Sequence, residues 1–322
     1  MTEHYVTLFD SAFLPQGLAL HHSLCEHGGD CQLWVLCLDP TCLKTLQTLD
    51  PPKMRLLDLA SLETPELLAV KSGRTKAEYC WTLTPWSIQW VFEADCTAHR
   101  VTYLDADVFL LNSPSPIFSE FESSGRAVLI TEHGYAPEYD QSRTSGRYCV
   151  QFLPVVRGPG ESILHWWRDR CLEWCFARVE HGLFGDQKYL EKFEASFPGL
   201  IVTAGADGRF QGPWNSRISI VSDAILFHFH GLRISGIGTA FLGHYFLPGS
   251  YLESLYTPYC ALLFSLIAKH GLAITPQADP PTQTHLRLMR LKKRLQRGQA
   301  LDDEPPSYWY ADLGDGLGAL AW

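Results

Sequence analysis

Residues 101–111, Val-Thr-Tyr-Leu-Asp-Ala-Asp-Val-Phe-Leu-Leu, hold the most informative pattern in the chain. The β-branched and aromatic residues of its first half predict a buried strand, and a second apolar run begins at Val108. Between the two runs stand Asp105 and Asp107, separated by one alanine. Two carboxylates this close repel each other and are costly to bury, so such a strand end needs a compensating cation. Oxygen ligands at this spacing suit Mg²⁺ or Mn²⁺ that bridges to a phosphate.

A simpler interpretation of the two aspartates is that they are exposed at a strand-to-loop junction. Short Asp-x-Asp matches often occur by chance. The apolar runs on both sides of Asp105 and Asp107 favour the metal site.

The composition indicates a globular protein with one large domain and a C-terminal appendage. The chain has 322 residues, of which 46% are hydrophobic. A formal net charge of −9 argues against binding to nucleic acid through its phosphates. The N-terminus has no pattern of a secretory signal, and no apolar run is long enough for a transmembrane helix. We therefore expect a cytoplasmic protein whose ten cysteines are reduced and fill the core. They form no CxxC pair, which argues against a structural zinc site.

The N-terminal half alternates predicted strands with predicted helices. This order predicts an α/β layer with a parallel sheet, whose ligands bind beyond the carboxyl ends of the strands. Asp10 and Asp105 both stand at such ends, which suggests a shared site. The predicted strands lie at 5–9, 33–38 and 54–57, and the predicted helices at 14–25 and 40–49.

Two prolines affect the boundaries of the helix and the strand that are predicted next. Helical spacing after Pro85 predicts that this proline lies near a helix start. Pro154 interrupts a predicted strand at 150–156 and indicates an edge or a bulge there. The polar residues 132–147 are expected to form a loop over the site. Other predicted elements are a strand at 127–131 and an aromatic-rich helix at 161–180.

Several further side chains are candidates for the site. His228 and His230 alternate in a predicted strand and therefore share one face, which favours a metal or phosphate contact. Asp186 follows a glycine and precedes a predicted helix, so an N-cap is an alternative role for it. Lys71 and Arg74 precede the Asp-x-Asp stretch, and their spacing leaves phosphate contacts and solvated surface charges equally open.

The pattern changes from residue 246 onward. Residues 251–270 predict an apolar helix. A basic stretch, bounded by Thr284 and Gln299, predicts a helix that either packs on the main domain or lies on an anionic membrane surface. Packing on the domain is the preferred interpretation, and the membrane contact stays open. We therefore divide the chain into a domain at 1–245 and a helical extension and tail at 246–322.

Taken together, these motifs resemble those of GT-A fold glycosyltransferases. The chain is similar to bacterial nucleotide-diphospho-sugar transferases of the family-eight-like group, which often accompany surface-polysaccharide genes. The resemblance spans roughly residues 4–260, and its specificity comes from several short motifs in a fixed order. These motifs lie at 7–10, 78–85, 102–107, 171–175, 184–190, 213–215 and 228–231.

The resemblance implies a metal-dependent site for a nucleotide-sugar. Asp105, Asp107 and His228, with His230 in reserve, would hold a divalent cation, commonly Mn²⁺, that neutralises the leaving diphosphate. Such enzymes retain the anomeric configuration, and the amide of Gln187 is a poor nucleophile, which favours front-face substitution. The implied donor contacts are Phe9, Asp10 and Ser11 with the base and ribose, Lys71 and Arg74 with the diphosphate, and Asp186 and Gln187 with the sugar.

The chain departs from this family in two places. Cys149 stands where relatives often have an asparagine, so donor choice is expected to differ if that position contacts the sugar. The usual lysine-containing loop after His-x-x-Gly is not evident, and Arg233 is expected to supply the missing cation.

The sequence thus predicts an α/β protein of the GT-A fold, with a Rossmann-like mixed sheet flanked by helices and a C-terminal helical appendage. The predicted activity is metal-dependent transfer of a hexose from a nucleotide-diphosphate sugar to a glycan or lipid-linked acceptor, with retention, in surface polysaccharide synthesis. A sugar nucleotidyltransferase is an alternative, although residues 10–17 lack the Gly-rich basic loop of that class. A second alternative is a non-catalytic module that binds nucleotide-sugar or glycan. The complete set of candidate catalytic and metal-binding residues argues against it.

Overall fold

The N-terminal strands form the parallel half of the main sheet in the computed structural model, which describes residues 2–205, 207–277, 308–312 and 317–321. The elements are β1 (Glu3–Phe9), α1 (Leu14–His27), β2 (Cys31–Cys37), α2 (Pro40–Leu49), β3 (Met54–Asp58), α3 (Leu59–Leu62), α4 (Pro65–Lys71), α5 (Lys76–Ala94) and β4 (Arg100–Leu104). Strand β1 pairs in parallel with β2 and with β4, and β2 pairs in parallel with β3. The predicted α/β layer is therefore confirmed.

Antiparallel strands extend this sheet and make it mixed. The next elements are β5 (Val108–Leu110), α6 (Ser115–Ser124), β6 (Val128–Glu132), β7 (Tyr148–Cys149), β8 (Phe152–Val156), α7 (Glu161–Glu173), α8 (Phe193–Ser196) and β9 (Ile201–Ala204). Among the described residues the sheet has eight strands in the order β3-β2-β1-β4-β8-β6-β7, with β9 paired to β6.

The remaining strands form two smaller sheets. The last elements are β10 (Phe210–Gln211), β11 (Leu226–His228), β12 (Arg233–Gly236), β13 (Thr239–Gly243), α9 (Gly249–Tyr251), a π-helical turn (Leu252–Tyr256), α10 (Thr257–His270), β14 (Tyr308–Asp312) and β15 (Leu317–Ala321). Strand β11 lies between β10 and β5, and β12 to β15 form an antiparallel sheet. The strands β14 and β15 were not predicted from the sequence.

Apolar side chains pack in two clusters on the two faces of the main sheet. Alternation along β1 sends Tyr5 into one cluster and Val6 into the other. Leu263 of α10 joins the cluster of Tyr5. The C-terminal helix therefore shares the core of the sheet that carries the site. Seven of the ten cysteines are buried as predicted, Cys80 is half-buried, and Cys25 and Cys96 are exposed.

Pro85 lies inside a helix, so its predicted place near a helix start is wrong. Helix α5 begins after Thr75 with a capping box, in which Glu78 N–H donates to Thr75 Oγ1 and Thr75 N–H donates to the Glu78 carboxylate. The helix then continues through Pro85, although an interior proline costs about 3 kcal/mol. Pro85 is buried within the apolar face of α5, and burial of this face offsets the cost.

Pro154 lies in an interior strand, so its predicted place at a sheet edge is wrong. It stands in β8, opposite Thr102 of β4. Val156 donates its N–H to Ala127 O at 2.8 Å, on the β6 side of the strand. Because N–H groups two residues apart point the same way, the missing N–H of Pro154 also faces β6. Strand β6 pairs with β8 at only one position, Val128 with Val155, so little hydrogen bonding is lost.

Helix α7 ends earlier than predicted. It stops at Glu173 rather than near residue 180, because Trp174 is extended, with φ −154° and ψ 124°. The Trp174 carbonyl accepts a hydrogen bond from Tyr189 Oη at 2.9 Å, and Ala177 N–H donates to Glu78 Oε1 at 2.8 Å. These long-range contacts hold the chain after α7 in a non-helical path.

The membrane-related predictions have different outcomes. The described part of the chain contains no helix whose length and apolar character would let it cross a bilayer. The basic stretch between Thr284 and Gln299 lies outside the described residues, so its predicted membrane contact stays a prediction.

Candidate functional site

Two adjoining cavities lie beyond the carboxyl ends of the parallel strands. The first has a volume of about 350 Å³ and the second about 470 Å³. Both are lined by Asp105 and Asp107, which follow β4. Trp81 and Arg233 also line both cavities. The first cavity alone is lined by side chains that include Phe9, Asp10 and Lys76. The second alone is lined by side chains that include His133, Cys149, Asp186, Gln187, His228 and His230.

A cluster of two carboxylates and one imidazole stands at the junction of the cavities. Strand β11 pairs with β5 so that His228 lies opposite Val108, next to the Asp-x-Asp turn. His228 Nε2 is 3.0 Å from Asp107 Oδ1 and 3.8 Å from Asp105 Oδ2. Tyr103 Oη donates to Asp105 Oδ1 at 3.0 Å. Strand β11 ends at His228, so His230 lies just beyond it rather than in the predicted strand, and the two ring centroids are 5.4 Å apart.

The protonation preferences of this cluster follow from burial and mutual attraction. Burial is the largest influence on Asp105 and raises the pKa of its carboxyl. Burial acts in the same direction on Asp107, but the charge and hydrogen bond of His228 outweigh it and lower the pKa. Burial would lower the pKa of His228, yet Asp107 holds this pKa well above its ordinary value. Burial and the neighbouring His228 lower the pKa of His230 to about 4.

The donor set at the junction fits a divalent cation. An oxygen of Asp105, the Cys149 sulfur and a His228 ring nitrogen lie within 4.8 Å of one another. His228 is 5% exposed, and its Nδ1 is buried without a hydrogen-bond partner among the described residues. A cation at this point would meet a carboxylate oxygen, a sulfur and a ring nitrogen, all of which are common metal ligands.

Asp186 and Gln187 stand on the wall of the second cavity. Gly185 has φ +52°, and a Cβ there would lie 3.2 Å from the ring of Trp81 in α5. The glycine therefore lets the chain pass close to α5. Asp186 is 5% exposed, and burial followed by repulsion from Asp105 raises its pKa to about 7. Asp186 stands at the N-cap position of the 3₁₀ helix that follows, as the alternative interpretation predicted, but its side chain makes no capping hydrogen bond to that helix. Gln187 Nε2 donates to Ser145 O at 2.7 Å.

Asp10 and Lys76 lie together on the wall of the first cavity. The Asp10 carboxylate accepts from Ala12 N–H at 2.9 Å and Phe13 N–H at 3.2 Å, and it forms an ion pair with Lys76. Ser11, by contrast, directs its N–H and hydroxyl to Asp39 Oδ2, at 2.8 and 2.9 Å. Asp10 is therefore presented to the cavity, whereas Ser11 is used within the turn.

Lys71 and Arg74 lie outside both cavities. Lys71 forms an ion pair with Glu63 at 2.6 Å. Arg74 donates to Thr82 Oγ1 and, at 2.8 Å, to Leu172 O, where it ties α5 to α7. Among the described residues, the cations that line these two cavities are Lys76 and Arg233.

Sequence reasoning missed several residues of the cavities, among them Lys76, His133 and Trp214. Lys76 follows the capping box at Thr75, a start signal that would have placed it at the first turn of α5. His133 begins the loop that was expected over the site, and Trp214 lies in a motif that was quoted without a role. Trp214 Nε1 donates to His133 O at 2.7 Å, a long-range contact that local patterns do not reveal.

The fold has a counterpart among solved structures. The crystal structure of galactosyltransferase LgtC, in complex with donor and acceptor sugar analogs, superposes with a TM-score of 0.50 at 15% sequence identity. The match covers 85% of this chain and 98% of that one. The chain therefore has the GT-A glycosyltransferase fold, as the sequence predicted.

Closer relatives define its family. The Bacillus subtilis (strain 168) protein YfnF is 33% identical over 255 residues, which cover 74% of this chain and 84% of YfnF. YfnD of the same organism is 30% identical over 251 residues, covering 72% of this chain and 79% of YfnD. The chain belongs to the family of YfnF and YfnD. No protein-family model matches it.

Proposed function

We propose that the protein is a metal-dependent glycosyltransferase that moves a hexose from a nucleotide-diphosphate sugar to a glycan or lipid-linked acceptor. The observation that carries the proposal is the position of Asp105 and Asp107, which line both cavities and lie beside His228. A divalent cation at this junction would stand between a nucleotide in one cavity and a sugar in the other. The resemblance to family-eight-like bacterial enzymes supports retention and a role in surface polysaccharide synthesis.

Asp105, Asp107 and His228 would hold the cation, Mn²⁺ or Mg²⁺, with His230 beside them. When bound, it would neutralise the charge that develops on the leaving diphosphate. The two close carboxylates support this role because they repel each other when no cation is bound, and the unpaired Nδ1 of His228 lacks the hydrogen-bond partner that a buried polar atom normally has.

The first cavity suits the nucleotide. Its volume, about 350 Å³, falls within the usual size of a small-molecule site. Phe9 would pack against the base, and Asp10 offers a carboxylate for hydrogen bonds from base or ribose. Lys76 and Arg233 would attract the diphosphate, whereas Lys71 and Arg74 are left out because they line neither cavity.

The second cavity suits the transferred sugar and the acceptor. Asp186 and Gln187 would orient the sugar hydroxyls through their oxygens. The Gln187 amide cannot serve as a strong nucleophile, and its nitrogen already donates to Ser145 O. Retention would then proceed on one face of the sugar, with these side chains positioning the reactants rather than bonding to them.

Ligand-induced stabilisation tests this proposal. We expect one nucleotide diphosphate to raise the melting temperature in the presence of Mn²⁺ and to lose this effect when a chelator is added. The corresponding nucleotide-sugar should be consumed when acceptors are supplied. Asp107→Ala should abolish transfer and the metal-dependent shift while its circular dichroism stays native.

A matched control is Asp169→Ala, which removes an exposed carboxylate from α7 and should leave transfer unchanged. Full turnover by Asp107→Ala would refute the metal site. Tight nucleotide-sugar binding without turnover across an acceptor panel would refute the transferase and indicate a binding module instead.

A further inference from the structure

The geometry points to Cys149 as an additional ligand of the divalent cation, which would give the site a preference for thiophilic ions over Mg²⁺. This inference rests on the proposed function, since it concerns the same cation. It adds a sulfur donor to the carboxylates and imidazole assigned above.

The backbone around Cys149 is fixed by sheet pairing. Cys149 ends the short strand β7 and pairs with Thr131 of β6. Thr131 Oγ1 also donates to the Cys149 carbonyl at 3.1 Å. The side chain is 3% exposed and lines the second cavity, beside the metal cluster. A thiol held this firmly needs no rearrangement of the main chain to meet a cation.

The neighbours of Cys149 supply the other donors. Its sulfur, a carboxylate oxygen of Asp105 and a ring nitrogen of His228 all lie within 4.8 Å of one another. His228 is 5% exposed and has a buried Nδ1 without a partner among residues 2–205 and 207–277. The thiol therefore stands in a group of donors that one cation would satisfy together.

A sulfur ligand changes which ions the site prefers. Oxygen ligands suit Mg²⁺, whereas thiolates favour Zn²⁺ and other thiophilic ions. Coordination also removes the thiol proton, so binding of one ion should release at least one proton to the buffer. We expect Co²⁺ and Zn²⁺ to bind well even in a large excess of Mg²⁺.

Cobalt spectroscopy tests the inference without reference to turnover. One equivalent of Co²⁺, added to the reduced full-length protein, should produce a sulfur-to-cobalt charge-transfer band in the near ultraviolet. Cys149→Ser should lose this band and bind Co²⁺ at least about tenfold more weakly, because even the loss of groups behind a metal ligand costs that much. Cys96→Ser, which changes an exposed cysteine outside the cluster, should keep both the band and the affinity.

The outcomes test two hypotheses separately: that Cys149 is a metal ligand, and that the proposed metal site exists at all. Stoichiometric Co²⁺ binding without the band, or with a band that survives in Cys149→Ser, would overturn the thiolate ligand and leave the proposed metal site intact. Absence of stoichiometric Co²⁺ binding would overturn both. If Cys149→Ser fails to fold, X-ray absorption of the wild-type protein with one equivalent of Zn²⁺ decides. A sulfur shell near about 2.3 Å is expected, and nitrogen and oxygen shells alone would refute the inference.

Discussion

Asp186→Asn should stabilise the metal-free protein more at pH 8 than at pH 5. Asp186 is almost fully buried, and burial together with the charge of Asp105 raises its pKa from an ordinary 3.8 to about 7. In the unfolded chain the carboxyl ionises near its ordinary value. The folded protein therefore loses stability as the pH rises from about 4 through about 7. Asparagine has the same shape and cannot ionise, so the variant escapes this loss.

The size of the effect follows from the pKa shift. A rise from 3.8 to about 7 corresponds to about 4 kcal/mol of stability lost once the pH exceeds 7. About 2.5 kcal/mol of this loss falls between pH 5 and pH 8, because part of it has occurred by pH 5. The difference in unfolding free energy between variant and wild type should grow by that amount over this interval.

Urea unfolding with a chelator and a thiol reductant measures the difference at both pH values. Asp169→Asn, at an exposed position on α7, is the matched control and should show no pH-dependent gain. An equal effect of Asp186→Asn at pH 5 and pH 8 would refute the argument, because it would mean that Asp186 ionises alike in the folded and unfolded protein.

Three further substitutions probe how the fold builds the site. Thr75→Ala removes the capping box of α5 and should lower the unfolding free energy, measured in urea, by about 1 kcal/mol. Thr75→Ser keeps the hydroxyl and should not lower it. Equal stability of the two variants would contradict the role of the cap. Gly17→Ala would bring a Cβ within 2.3 Å of the Phe9 ring, so it should lower the melting temperature and weaken nucleotide binding in calorimetry. An unchanged melting temperature and affinity would show that Phe9 moves aside freely. Lys76→Met should reduce the thermal shift caused by Mn²⁺ and nucleotide diphosphate, while Lys71→Met, outside the cavities, should not; the reverse result would restore Lys71 to the site.

Local patterns were sufficient for the parallel half of the sheet and for the carboxylates at its edge. The apolar strand before Asp105 is continuous, and the alternation of His228 and His230 needs no tertiary information. Lys71 was a candidate because it precedes the Asp-x-Asp stretch and because the family resemblance implies a diphosphate contact there. The start of α5 was predicted near Pro85, about ten residues after its true start at Thr75, so Lys76 was not recognised as a cation of the first helical turn.

Features that depend on distant pairing could not be predicted. Pro154 is tolerated inside the sheet because β6 pairs with β8 at a single position, which no property of residues 150–156 reveals. Cys149 was noted only as a departure from a family pattern. Its place beside Asp105 and His228 follows from the pairing of β7 with β6 and of β11 with β5, across sequence separations that periodicity does not span.

Hydrogen bonds join the loop after β6 to the segment that follows Asp186, and they limit the ways in which the second cavity can open. Gln187 Nε2 donates to Ser145 O at 2.7 Å, Lys188 Nζ donates to Ser142 O at 2.8 Å, and Arg147 N–H donates to the Glu191 carboxylate at 2.9 Å. A hinge motion of the loop must break these bonds or carry the segment with it. A motion that admits water to Asp186 would return its pKa toward the ordinary value. Such an opening would be thermodynamically linked to the ionisation of Asp186, and alkaline pH would then favour it.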